Sequence, residues 1–346
     1  MAKSSGKIQT IEIRFLEAEL ENSFGWSQRW TSSRSIIIMR LKTTENYVGW
    51  GETYGSYNTC LEMASLAKLI IGEESENINK INNMVFDQTF QSHGFAGSAS
   101  SFISALDIAL YDIRGKFLNE PISTLLGGSL KRDIPVYATG LYYLENFPIK
   151  PHIDEALGYV EEGFTGMKMK VGGLNINDDV KRVKQTRDAI GPNIKLMIDA
   201  NEAYDKRTAI EMAELVQSSN ITWFEEPCPS RDFYSNGYVT KNSKIPISGG
   251  ESLRTSLEFS RVISENIFDI IQPDICSVGG VSEMRKVGNM ANAFGVKINP
   301  HFWGTGISFA AVLHCMSVQP ILNNSQINAP YENQSVLEFD QTPQSH

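Results

Sequence analysis

Intervals of 29, 26, 26, 23 and 27 residues separate Lys170, Asp199, Glu225, Glu251, Asp274 and His301, and each of these polar residues closes a short apolar run. The runs read "GMKMKVG", "KLMIDAN", "TWFEEP", "IPISGGE", "DIIQPDI" and "VKINPHF"; "VYATG" precedes them and "SVLEF" follows, which makes eight. A helical segment follows most of them, so the spacing is that of one strand plus one crossover helix, and such strands lie parallel. Eight units of this kind close into a barrel. The competing open, doubly wound sheet is disfavoured, because no Gly-x-Gly-x-x-Gly follows a strand.

The first third has another character. "IQTIEIRFLEAEL" alternates, and "SIIIMRLKT" and "YVGWGETYG" flank the turn "TENY", which reads as an antiparallel meander. Between the first two lies "ENSFGWSQRWTSSR", residues 21–34, which reads as a loop over the site carrying Trp26, Arg29, Trp30 and Arg34. From about residue 57 to 120 the pattern turns helical, most clearly in "SASSFISALDIALYDIRGKFLN", with Ser98 or Ser100 as candidate caps. The expected division is an N-terminal α+β domain over residues 1–130 and a barrel over residues 131–346.

In such a barrel the site lies at the C-terminal ends of the strands. Asp199, Glu225 and Glu251 come from neighbouring strands, and unpaired carboxylates facing one another repel unless a cation sits among them. With no Cys or His in the set, the donors suit a hard ion, Mg²⁺ or Mn²⁺. Lys168 and Lys170 are two apart, so both point to one face of their strand, while Met167 and Met169 take the other. At about 6.6 Å and an effective dielectric near 20, two ammonium groups repel by ~2.5 kcal/mol, enough to favour one neutral amine near physiological pH. That amine is a base. Asp274 and His301 close adjacent strands and are expected to pair, giving a second base on the opposite face. His152 and His314 lack this context and read as structural. The glycines of "FWGTGISFAA" allow a close turn into a helix whose first N–H groups are expected to help bind an anion.

These six motifs, K-x-K, "DAN", "FEEP", "GGE", "QPD" and "PH", resemble in type and order the mandelate racemase subgroup of the enolase superfamily, and the resemblance covers nearly the whole chain. It implies a modified TIM barrel, (β/α)7β, under an α+β capping domain. Asp199, Glu225 and Glu251 would be Mg²⁺ ligands, Lys170 one catalytic base with Lys168 lowering its pKa, and His301 with Asp274 the other. The shared step is abstraction of the proton α to a carboxylate. Glu338 is the shifted match to a glutamate that donates a hydrogen bond to the substrate carboxylate, and relatives continue past the position of His346 into a tail that completes the cap.

The intermediate can lose a β-hydroxyl, lose a ring oxygen or be reprotonated on its other face. An acid sugar dehydratase is the leading expectation, with a galactarolactone-like cycloisomerase next and a racemase or epimerase third. Arg29, Tyr54, Tyr142 and Asn201 suit a hydroxylated acid sugar or lactone. Readings from other classes are a Schiff-base barrel enzyme, indifferent to chelation, and a non-catalytic binding protein, which would bind acids without exchanging their protons. A net charge of −9 without basic clusters argues against nucleic acid as a partner. The four scattered cysteines read as reduced, no apolar run is long enough for a membrane, and the opening residues lack a secretory pattern. A cytoplasmic homo-oligomer is expected.

Overall fold

The computed structural model describes residues 4–27, 29–93, 97–131, 133–144, 150–320 and 329–342. An antiparallel sheet opens the chain with β1 (Ile8–Trp26), β2 (Arg29–Thr43) and β3 (Val48–Thr53). Helices α1 (Tyr57–Leu66), α2 (Ile78–His93), α3 (Ser98–Leu118) and α4 (Ile122–Leu125) follow. Inward-facing Ile37, Met39 and Leu41 of β2 meet Phe102, Leu106 and Ile113 of α3 in one apolar cluster, the core of the cap. Gly97, with φ of 73°, precedes α3, and no side chain caps that end, so neither Ser98 nor Ser100 takes the expected role.

Segment 21–34 is no loop. β1 and β2 continue through it as a ribbon, pairing Phe24 with Thr31, Gly25 with Trp30 and Trp26 with Arg29. A register shift between Glu19 and Phe24 breaks the two-residue alternation, which is why the segment does not look like strand. The ribbon still reaches the barrel: Ser27 Oγ donates to the Val171 carbonyl at 2.7 Å, and Phe24 and Gly25 pair with β5 (Tyr143–Leu144).

The barrel alternates as the spacing predicts: β4 (Val136–Thr139), then β5 in its first loop, α5 (Lys150–Glu161), β6 (Gly166–Lys170), α6 (Ile176–Ile190), β7 (Lys195–Asp199) and α7 (Lys206–Leu215). There follow β8 (Ile221–Glu225), α8 (Phe233–Asn242), β9 (Ile247–Gly249), α9 (Thr255–Ser264), β10 (Ile270–Ile271), α10 (Gly280–Phe294), β11 (Lys297–Ile298), α11 (Gly306–Ser317) and β12 (Leu337–Asp340). Eight parallel strands lie in the order β11-β10-β9-β8-β7-β6-β4-β12. Side chains close the seam between β11 and β12. Asn299 Oδ1 accepts from Val336 N at 3.1 Å, and a Glu338 oxygen accepts from Phe302 N at 3.2 Å. Helices α6, α7 and α8 begin on Asn175, Asp205 and Asp232, whose side chains take otherwise orphaned N–H groups.

Met167 and Met169 pack outward against the helices, as the strand period requires. The inner face is filled lower down by Tyr137, Met197, Trp223, Ile270, Tyr331 and Val336. That plug leaves only the strand ends open, so polar residues two positions farther along each strand surround one mouth.

Two carboxylates from the cap dock it on the barrel. Glu52, at the end of β3, accepts from Thr305 N at 2.6 Å and Oγ1 at 2.5 Å, and from Ser308 N at 3.2 Å and Oγ at 3.0 Å, at the start of α11. Asp107 of α3 takes Ser282 N at 2.8 Å and Oγ at 2.7 Å, in the first turn of α10. Both positions need glycine opposite. A Cβ on Gly304 would lie 2.6 Å from Glu52 Oε1, and one on Gly280, at φ +72°, would lie 2.7 Å from Asp107 Cβ. The helix after "FWGTG" therefore does bind an anion, but the anion is the chain's own Glu52.

Candidate active site

Lys168, fully buried, reaches Glu225 Oε1 at 2.5 Å, Glu338 Oε1 at 2.9 Å and Asp199 Oδ2 at 3.5 Å. Lys170 reaches Asp199 Oδ2 at 2.5 Å. Both lysines point into the mouth, yet their mutual repulsion does not decide their charge here. Burial works to deprotonate each, but the carboxylates beside them more than offset it and hold both ammonium groups above the ordinary lysine range.

Across the mouth, His301 Nδ1 sits 2.6 Å from Asp274 Oδ2. Asp274 Oδ1 accepts from Cys276 N at 2.6 Å, and Oδ2 also accepts from the Tyr54 hydroxyl at 2.9 Å. The pair expected from two strand ends is present, with a tyrosine from the cap as a third member. Asp274 occupies Nδ1, so Nε2 faces the cavity, 3.4 Å from Glu251 Oε2. Burial pulls this imidazole down, but Glu251, Glu338 and Asp274 raise it to about 10.

The cavity between the two bases holds about 260 Å³. Lys170, Asn201, Glu251, Asp274, His301 and Glu338 line it, as expected from the strand ends, and Tyr54 and Tyr142 join them. Arg29 does not; it lies exposed where β2 begins, while Trp26 of the same ribbon lines the cavity. Arg254, Ser252, Ser277 and Trp303 were not legible as site residues. Arg254 and Ser252 lie within three residues of Glu251 on the same strand-end loop, which is the one signal that pointed to them. Trp303 is held from the cap: Arg34 Nη2 donates to its carbonyl at 2.9 Å, the guanidinium lies 4.3 Å from its ring centroid, and the same group pairs with Asp340. His152 and His314 lie outside the cavity, on Arg182 Nη2 and the Ser123 amide.

Glu338 reaches the mouth from β12, where Lys168 and His301 overcome burial and hold its carboxyl down at about 2, and it accepts from Lys168 Nζ and Phe302 N.

The donor set fits a hard cation. Among the described residues, the buried carboxylates Asp199, Glu225, Glu226, Glu251, Asp274 and Glu338 outnumber the cations that act on them, Lys168, Lys170, His301 and Arg254. Burial together with the neighbouring carboxylates pushes Glu225 up to about 7 and raises Glu226 and Glu251, and Glu226 Oε1 has no hydrogen-bond partner. Among the described residues no three such groups are already arranged as a metal centre, and Lys168 and Lys170 lie on oxygens of Glu225 and Asp199. Asn201 and Glu226 hold positive φ of 40° and 37° beside these carboxylates, backbone strain of the kind that gathers at functional sites.

A capped barrel whose mouth opposes a lysine and a histidine over a bed of carboxylates defines the enolase class of enzymes. The chain belongs to the mandelate racemase / muconate lactonizing enzyme family: residues 11–127 match its N-terminal domain and residues 152–344 the enolase C-terminal domain-like model. It is 31% identical to D-galactarolactone cycloisomerase of Agrobacterium fabrum over 97% of this chain and 88% of that one. The crystal structure of 3,6-anhydro-D-galactonate cycloisomerase from Zobellia galactanivorans superposes with a TM-score of 0.86 at 34% identity, covering 98% of this chain and 88% of that one. L-talarate/galactarate dehydratase from Salmonella typhimurium, liganded with Mg and L-lyxarohydroxamate, superposes with a TM-score of 0.85 at 27% identity, covering 96% and 83%. Dehydratases, cycloisomerases and a racemase all occur among the relatives. No helix among the described residues is long and apolar enough to cross a membrane.

Proposed function

We propose that this chain removes the proton α to a carboxylate in a sugar acid or its lactone, with Mg²⁺ as cofactor and loss of a β-hydroxyl as the outcome. The observation that carries this reading is the placement of Lys170 and His301 on opposite sides of one cavity above Asp199, Glu225 and Glu251. Those three carboxylates would hold the ion, which supplies positive charge where the substrate carboxylate becomes more negative.

Lys170 becomes a base when Asp199 no longer holds its ammonium; burial and the Lys168 charge then both favour the neutral amine. His301 serves the opposite face through Nε2, with Asp274 fixing the ring. One base takes the α-proton, the acid form of His301 gives a proton to the departing hydroxyl, and water leaves. Arg254, Ser252 and Asn201 offer groups for hydroxyls and a second carboxylate, and Trp26 and Trp303 offer flat faces for a sugar chain.

A second reading, in which a ring oxygen leaves in place of the hydroxyl, is favoured by the likeness to two cycloisomerases over nearly the whole chain. Both are tested by incubating mono- and diacid sugars and their lactones with the protein and Mg²⁺ in D₂O and following the α-proton by NMR. A 2-keto-3-deoxy acid is the expected product of the first reading and a ring-opened or ring-shifted acid of the second. Protein that binds Mg²⁺ yet exchanges no α-proton in any acid would refute both.

A further inference from the structure

We infer that Gln272 and Trp223 are positioning residues that fix which oxygen of Glu225 is presented to a metal ion. This rests on the reading of Glu225 as a ligand and adds how it is held. Trp223 and Glu225 are two apart on β8, so both side chains enter the barrel. Glu225 Oε2 accepts from the Gln272 amide nitrogen at 2.6 Å and from the Trp223 indole nitrogen at 3.2 Å, all three groups being buried. Oε1 has Lys168 Nζ at 2.5 Å. The two oxygens thus differ: Oε2 is held by two donors on rigid supports, Oε1 by an ammonium that has a second carboxylate, Glu338, at 2.9 Å to turn to.

Neither donor is free to swing. The Trp223 ring stands edge-on to Tyr137 at 5.3 Å and close to Tyr331 at 6.3 Å. Gln272 directly follows β10 and is 1% exposed. Its amide has one workable orientation, since an amide oxygen turned to the Glu225 carboxylate would repel it. In that orientation Gln272 Oε1 has no hydrogen-bond partner, so the contact with Glu225 is what fixes the side chain. The next residue but one is Asp274, which holds His301, so the "QPD" segment orients a ligand with its first residue and a base with its last.

The structure therefore assigns Glu225 a single ligating oxygen, Oε1. Partners that orient a metal ligand in this way change metal affinity by about 10- to 100-fold when removed. The experiment uses the full chain without substrate. Calorimetric titration with MgCl₂ is run on the wild type and on Glu225→Gln, Gln272→Leu and Trp223→Phe. The ¹⁵N-indole resonance of Trp223, assigned by its loss in Trp223→Phe, is followed through the same titration in the wild type. Expected are strong loss of binding in Glu225→Gln, about 10- to 100-fold weaker Mg²⁺ binding in each of the other two, and a shift of the Trp223 resonance on saturation. Wild-type protein that binds no Mg²⁺, or Glu225→Gln that binds as well as wild type, removes the ligand reading and this inference with it. Folded Gln272→Leu and Trp223→Phe with affinity within about twofold of a wild type that does bind Mg²⁺, or an indole resonance that Mg²⁺ leaves in place, overturns this inference alone. If a variant does not fold, the wild-type resonance decides.

Discussion

At the seam between cap and barrel, Glu52 and Asp107 are buried carboxylates on which hydroxyls and helix N-terminal amides converge from α11 and α10. At the barrel mouth, Glu225, Glu226 and Glu251 are buried too, but they face one another and a Glu226 oxygen has no partner. The same side-chain chemistry makes a joint in one place and a crowd of like charges in the other, and what differs is that the seam carboxylates face donors while those at the mouth also face one another. Helix dipoles and N–H groups favour an anion at the seam. Among the described residues at the mouth two lysines, a histidine and one arginine oppose six carboxylates, and the imbalance is what a divalent ion would correct.

Substitutions on the two sides should therefore separate activity from stability. The largest effect is expected for Asp199→Asn, which removes a proposed ligand and the partner of Lys170: α-proton exchange should fall by at least about 10³-fold while the unfolding midpoint moves little. A large loss of stability with exchange retained would place Asp199 with the seam. Glu52→Ala removes the acceptor shared by four donors, of which Ser308 Oγ keeps the Thr305 carbonyl, and should cost about 3 kcal/mol in denaturant unfolding. A cost under about 1 kcal/mol would mean the cap is held by its apolar contacts alone.

Asp107 gives the seam a pH dependence. Burial, with Glu283 as a lesser contributor, outweighs its hydrogen bonds and raises its carboxyl from 3.8 to about 6. A carboxyl raised on folding stabilises fully below its unfolded pKa, and the contribution is lost as pH rises through the folded value. Stability should thus fall by up to ~3 kcal/mol between about pH 4 and pH 6 from this group, and Asp107→Asn should flatten that slope; an unchanged slope would assign it elsewhere. The smallest effect is expected at Glu251→Gln, where removing one surplus charge should stabilise metal-free protein by about 1 kcal/mol and abolish the added stability that Mg²⁺ gives. Destabilisation of the metal-free protein would show that the mouth carries no surplus.

The contrast also explains what the sequence could say. Barrel strands were legible because each ends an apolar run with a polar residue at a nearly constant interval, and the resulting ring puts Lys170, Glu251, Asp274 and His301 at one cavity, with Asp199 against Lys170. Glu52 and Asp107 were not, since their partners lie 253 and 175 residues away and nothing local distinguishes them from surface acids. Ribbon 21–34 hid behind a register shift, so Trp26 came to the cavity with Arg29 left outside. The lysines were legible only in part for a related reason: a pairwise repulsion was visible along one strand, while the carboxylates that pair with them come from β7, β8 and β12.

The central claim is that Lys170 and His301 work on opposite faces of one substrate. Its most direct test is Mg²⁺-dependent α-deuterium exchange measured on a pair of substrates epimeric at the α-carbon, in Lys170→Ala and His301→Asn. The account predicts that each variant loses exchange with one epimer and keeps it with the other, in opposite senses. Equal loss with both epimers in both variants would contradict it.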